Sequence, residues 1–184
     1  MFATLLFSNK IVHFKIKIMH YNWYVFFIAA VIPLLTGFVW YNPKTFANAW
    51  MKASGVTPGQ PQRFSMPIIF GMTFLLGLLL SGAVLTIVVH QTHYYSILMD
   101  NKDMMNPNSD IAKATQAFMD VNGLNFRTFK HGAFHGSIAG LLFAMPVLGI
   151  NALFESKGWN YIFIQTGYWM LTLALMGGVI CQFA

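Results

Sequence analysis

Four histidines are the residues of this chain best placed to do chemistry. His90 and His93 close one long apolar run, and His131 and His135 open the next. His131 and His135 are one helical turn apart, so both imidazoles fall on one face, and the three-residue spacing of His90 and His93 has the same effect. A chain that turns over between the two runs brings all four to one end. Two such pairs on facing helices offer neutral nitrogen donors for a divalent metal, or axial ligands for a haem held between helices. Imidazole also titrates near neutrality, which opens a pH response. The plainer alternative is that they cap helix ends and meet lipid headgroups. No HExxH motif and no carboxylate at ligand spacing accompanies them, since Asp100 and Asp103 fall in a loop.

A second group gathers toward the other end of the runs. Trp40 and Tyr41 close the first run and Trp50 follows in the connection. Asn151 and Glu155 close the third run, and Gln165 and Tyr168 lie one to two turns into the fourth. Polar groups at membrane depth need partners, so Asn151, Gln165 and Tyr168 are expected to hydrogen-bond across helices. The group could line an aromatic pocket for a lipid or other amphipathic ligand. The alternative is interhelical glue beneath an aromatic belt.

Other chemistries lack their residues. No run carries a central Asp, Glu, Lys or Arg, which pumps and proton-coupled carriers usually need. There is no Ser-His-Asp order, no paired carboxylates and no phosphate-binding loop. The net charge of +6 is scattered over loops without a basic stripe, so nucleic acid is not an expected partner. Cys181 is the single cysteine, which excludes an intramolecular disulfide and a cysteine-based zinc site. The methionines lie mostly inside apolar runs, as packing material. A binding or structural protein is expected, not an enzyme.

The apolar runs must position all of these residues. Only 9% of the chain is charged, against about 25% in soluble domains, so a bilayer is the expected solvent. Four runs, near 23–40, 66–89, 131–155 (starting as early as 126) and 159–183, are each about 20 residues long, which suits a hydrocarbon core of about 30 Å. The expected fold class is all-α, an integral membrane four-helix bundle. Asn42 as N-cap, Pro43 at the first helical position and Gly55 as a stop predict a short interfacial helix after span 1, with Phe46 and Trp50 on one face. Ser109 as a cap predicts an amphipathic helix over 110–121, between spans 2 and 3, with Ile111, Ala114, Phe118 and Val121 on its apolar face. Residues 1–22, with Lys10, Lys15 and Lys17, form a cationic N-terminal extension, and 23–184 a single four-span domain. Met19 is an alternative start.

Within span 3, Gly132, Gly136, Gly140 and then Ala144 recur every fourth residue. In water each interior glycine costs about 1 kcal/mol relative to alanine, whereas helix association in lipid favours such small-residue stripes. Span 3 is therefore expected to pack closely on a neighbour. An even number of spans puts both termini on one side, with the 90–130 connection. That side carries Lys10, Lys15, Lys17, Lys102, Lys113, Arg127 and Lys130, and the other Lys44, Lys52, Arg63 and Lys157. Seven cations against four favour cytoplasmic termini. Counted from Met19 the sides are equal, at four each, and the rule is silent.

Gly37-Phe38-Val39-Trp40-Tyr41-Asn42-Pro43, followed by Phe46 and Trp50, carries a family likeness. So do Asn151-Ala152-Leu153-Phe154-Glu155, Gly167-Tyr168 and Gly177-Gly178. Together they resemble a bacterial membrane family labelled domain of unknown function 1761, from about residue 22 onward and least clearly in the middle connection. The resemblance implies a small multi-span protein of a bacterial membrane and brings no catalytic residues or substrate with it. The leading functional expectation is a packing role among membrane lipids, as a homo-oligomer or as an accessory subunit of a larger membrane complex. The alternatives are haem or metal binding through the histidines, and lipid or small-molecule carriage through the aromatic group.

Overall fold

A computed structural model describes residues 21–184; residues 1–20, with Lys10, Lys15, Lys17 and Met19, lie outside the described residues. Among the described residues the regular structure is entirely helical. In chain order it comprises α1 (Tyr24–Trp40), α2 (Ala47–Ser54), α3 (Met66–Val88), α4 (Gln91–Leu98), a 3-10 turn (Lys102–Met105) and α5 (Asp110–Asn122). Next come α6 (Phe129–Ala139), a π-helical turn (Gly140–Ala144), α7 (Met145–Phe154) and α8 (Trp159–Phe183). Among the described residues, three helices are long and apolar enough to cross a membrane: α3, the continuous helix Phe129–Phe154, and α8. The helix expected over 23–40 is apolar but has 17 residues, about 25 Å at 1.5 Å per residue.

α8 is the spine on which α1, α3 and the α6–α7 helix all pack. Val25, Ala29 and Ile32 of α1, Val84 and Val88 of α3, and Leu173, Met176 and Ile180 of α8 make the buried core. The glycine stripe sets the α6–α8 approach. A Cβ on Gly132 would stand 2.7 Å from the carbonyl carbon of Gly177, one on Gly136 2.6 Å from that of Leu173, and one on Gly140 2.6 Å from Met170 Cα. Gly177 answers from α8, where a Cβ would run into Gly132 O. The close neighbour of the stripe is thus α8 of the same chain, and this face is not left free for a second copy. Ala144, half-buried, packs against the core.

The π turn re-aims α7. Met145 N–H reaches Gly140 O, five residues back. Pro146 has no N–H, and its ring crowds the carbonyl four residues before it, so a wider turn fits there. One extra residue in the turn rotates the rest of the helix by about 100°. The inward series therefore passes to Leu148, Gly149 and Ala152; Ala152 is buried, and Asn151 and Glu155 are exposed.

Three connections also differ from expectation. The interfacial helix begins at Ala47 and not at Pro43, because Asn42 caps a turn: its Oδ1 accepts from Lys44 N at 3.0 Å. Thr45 Oγ1 meanwhile donates to Val39 O and Trp40 O, each at 2.7 Å, closing the end of α1. Gly55 ends α2 with φ +79°, as expected of a glycine stop. α3 does not run on through the histidines, because Val89 is extended (φ −109°, ψ 95°) and fully buried, and α4 starts afresh. α5 is capped by Ser109 as expected, its Oγ accepting from Ala112 N at 3.2 Å. Its buried residues are Ala112 and Thr115, while Phe118 and Val121 of the expected apolar face remain exposed.

Candidate metal centre

Three of the four histidines converge. His90 stands at the α3–α4 break, held there by its buried neighbour Val89. His131 and His135 occupy the first turns of α6, whose start is fixed by Thr128 Oγ1 accepting from His131 N at 3.3 Å. One potential ligand atom from each of His90, His131 and His135 lies within 4.8 Å of the other two. The rings are 4.9 Å (His90–His131), 4.9 Å (His90–His135) and 4.4 Å (His131–His135) apart, centroid to centroid. His93 is outside this group: it sits one turn into α4, exposed. His90 and His93 follow the break at Val89 together, His93 N donating to His90 O at 3.1 Å, but only His90 meets the α6 pair.

The His90 and His131 Nε2 atoms are 2.8 Å apart, a hydrogen-bond distance that requires one protonated and one bare nitrogen. Two imidazoles on one tetrahedral ion, each at about 2.0–2.1 Å, stand about 3.3 Å apart. Opening the pair by about half an ångström therefore turns a hydrogen bond into two ligands, a change within rotamer adjustment. Burial first, and then His135 and His93, hold the His90 pKa below the usual imidazole range. That keeps it in the neutral form that a metal requires. Haem fits poorly, since rings packed this closely leave no gap for a macrocycle between opposed axial nitrogens.

The surroundings are fastened by residues that spacing arguments do not single out. Arg127 Nε donates to Cys181 O at 2.7 Å and its Nη2 to Ala184 O, which occupies terminal carbonyls of α8. Cys181 Sγ lies 3.3 Å from both Val88 O and Phe126 O, tying α8 to the end of α3 and the start of α6. Gln91 Nε2 donates to Asn122 O (3.2 Å) and Asn125 O (2.9 Å), drawing the connection toward His90. Phe126 adopts a positive φ of 61° and sets its ring 5.1 Å from that of His131. A lone arginine and a lone glutamine at the ends of apolar runs were the available signals.

At the opposite end, Trp40, Tyr41, Trp50, Gln165 and Tyr168 gather as expected, and Tyr161 joins them. Tyr41 OH donates to Gln165 Oε1, and Gln165 Nε2 donates to Tyr161 OH at 3.2 Å. The Tyr41 ring lies 5.3 Å from that of Tyr168 and 5.5 Å from that of Trp50. Trp40 stacks on Phe46 at 4.3 Å and fills the space over Gly167. Tyr168 OH donates to Pro33 O at 2.9 Å. Asn151 and Glu155 are not part of the group; the π turn points them outward, and among the described residues neither side chain is in a hydrogen bond.

Residues 24–181 match the family described as protein of unknown function (DUF1761). The chain belongs to this family. Both side-chain groups, and the middle connection where the likeness was faintest, fall inside the matched stretch. Neither a curated protein nor a solved structure matches this DUF1761 chain.

The DUF1761 core gives a pH prediction through Tyr41. Burial, and then Tyr168 and Tyr161, push its phenol pKa well up. A raised acid pKa means that folding favours the neutral phenol. This contribution is fully present below the ordinary tyrosine value of about 10 and is lost as pH climbs above it. Thermal unfolding in detergent should show stability falling above about pH 10, with a shallower fall in Tyr41→Phe. At neutral pH that variant should lose about 1–3 kcal/mol by stranding Gln165. Parallel alkaline profiles would refute the assignment.

Proposed function

We propose that this chain is a four-span integral membrane protein that binds a divalent transition-metal ion through His90, His131 and His135. One observation carries the metal assignment: three imidazole nitrogens from two separate helices stand within 4.8 Å of one another. Zn2+, Cu2+ and Ni2+ suit such neutral nitrogen donors. Three ligands leave a fourth position open, and His90 is the most exposed of the three. The role proposed for the group is metal binding.

Membrane insertion is supported by outer faces that water would not tolerate. Phe38, Leu79 and Phe143 are 79%, 74% and 71% exposed, far beyond the scattered apolar residues of a soluble surface. α1 serves as the fourth and shortest span. Both termini then share the cytoplasmic side with the histidines, following the cation count, and the exposed Phe118 and Val121 rest in the interface. The packing role anticipated from the glycine stripe is filled within the chain by α8, so the oligomer or accessory-subunit alternative no longer has that support.

The test is metal content. Protein extracted from membranes, stripped with chelator and dialysed against Zn2+ or Cu2+ should retain about one ion per chain, as a single three-histidine site requires. Retention no greater than that of an unrelated membrane protein in the same detergent would overturn the assignment. Reporter tags at the two ends should label the same side of the membrane; labelling on opposite sides would remove the fourth span.

A further inference from the structure

A groove of about 760 Å3 runs between α2 and the first turns of α8, at the end of the protein away from the histidines. α2 is held in place beside it by the Trp40–Phe46 stack, by the Tyr41–Trp50 contact and by Lys157 Nζ donating to Ser54 O. The groove is therefore preformed. Phe46 and Ala49 line it from one side, and Trp159 and Phe163 from the other. Trp159 and Phe163 are 64% and 59% exposed, with no described part of the chain laid over them. Among the described residues Lys52 is the only charge in the lining, and Asn160 contributes an amide.

Charge complementarity decides what fits. The segments at this end, 41–65 and 155–160, carry Lys44, Lys52, Arg63 and Lys157 against a single acid, Glu155, which does not line the groove. Its position at the start of a candidate span and beside an interfacial helix is where headgroups and the first methylenes of acyl chains lie. We propose that the groove binds one anionic glycerophospholipid. An acyl chain lies along Phe46, Trp159 and Phe163, and the phosphate meets Lys52 and the Asn160 amide. This site is independent of the metal assignment: it uses other residues, at the other end of the helices.

The test uses the full chain in detergent, with native mass spectrometry following retention of phosphatidylglycerol against phosphatidylcholine of the same chain length. One phosphatidylglycerol should be retained about fivefold more strongly, the preference that one juxtamembrane lysine supplies. Lys52→Ala should bring the ratio near unity, and Lys52→Glu should invert it. Ala49→Trp, which fills the groove, should lose both lipids. Lys52 is exposed, so its variants should keep the parent's helicity by circular dichroism; the lipid ratio is read on protein that passes this check. Equal retention of the two lipids by the parent, or an unchanged ratio in Lys52→Glu, would overturn the proposal. So would equally tight binding of glycerol phosphate, which would make the groove a soluble-anion site.

Discussion

His131→Ala and His135→Ala should each abolish stoichiometric retention of Zn2+ or Cu2+, while His93→Ala leaves it intact. The first two remove donors that a single helix presents one turn apart, and two remaining nitrogens do not make a structural or catalytic metal site. Losing an outer-shell partner of a metal ligand already costs about 10–100-fold in affinity, so losing a ligand should cost at least that. His90→Ala should match the α6 variants despite its distance in sequence. His93 separates geometry from composition, because a loose histidine-rich surface would weaken in step with each histidine removed. Isothermal titration at about pH 7.5 gives the comparison. Repeating it near pH 5.5 adds a second expectation: bound protons must leave before the metal enters, so affinity falls with pH. Because the His90 pKa is depressed, neutral His90 favours the fold above the ordinary imidazole value of about 6.5, and that contribution is lost as pH falls below it. Equal losses across all four variants, or full retention in His135→Ala, would end the three-histidine assignment.

Gly136→Ala should prevent native packing of α6 on α8. Its new Cβ would meet peptide backbone of α8 at Leu173, which cannot rotate away as a side chain could. Overpacking in a tight core costs about 1–3 kcal/mol or more, and the upper end applies where the obstacle is backbone. Gly136→Leu should be worse, giving aggregated protein on detergent gel filtration and loss of metal, since the same helix carries His131 and His135. Gly71→Ala and Gly82→Ala are the controls. Nothing lies within 4 Å of a Cβ at either position, so helix propensity alone applies and both should be neutral or slightly stabilising. A Gly136→Ala protein as heat-stable as the parent would mean that the helices do not touch along the stripe.

Periodicity carried much of this structure in the sequence. Glycines four apart announce a close helix contact, and histidines four apart announce a shared face, because both statements need only one unbroken helix. The failures lie where that condition breaks. Extending the glycine register through Pro146 projects Asn151 and Glu155 inward, and the π turn adds one residue to the count. His90 and His93 share the first turn of α4, but the extended Val89 before them re-aims that turn relative to α3, and only His90 meets the α6 pair. Pro43 looks like a helix start because Asn42 is as good at capping a turn as a helix, and Thr45 tips the balance by bonding back to α1. For α5, the spacing of apolar residues finds a face but does not say whether protein or lipid covers it. The links made by Arg127, Gln91 and Cys181 join points far apart in the chain, and no local pattern encodes them.

In the four-span arrangement proposed above, the brevity of α1 would bear on the membrane around it. Its partners α3 and α8 have 23 and 25 residues, about 35 and 38 Å end to end, and can lean to match the hydrocarbon thickness. A helix of about 25 Å has no slack to lean with and instead draws the two leaflets together beside it. Because α1 is packed on both longer helices, the lean on one side and the thinning on the other would become a single adjustment. In the four-span arrangement the protein would carry a thin rim along one flank only, would favour short-chain lipid there, and would gather with other proteins that pinch the bilayer in the same way.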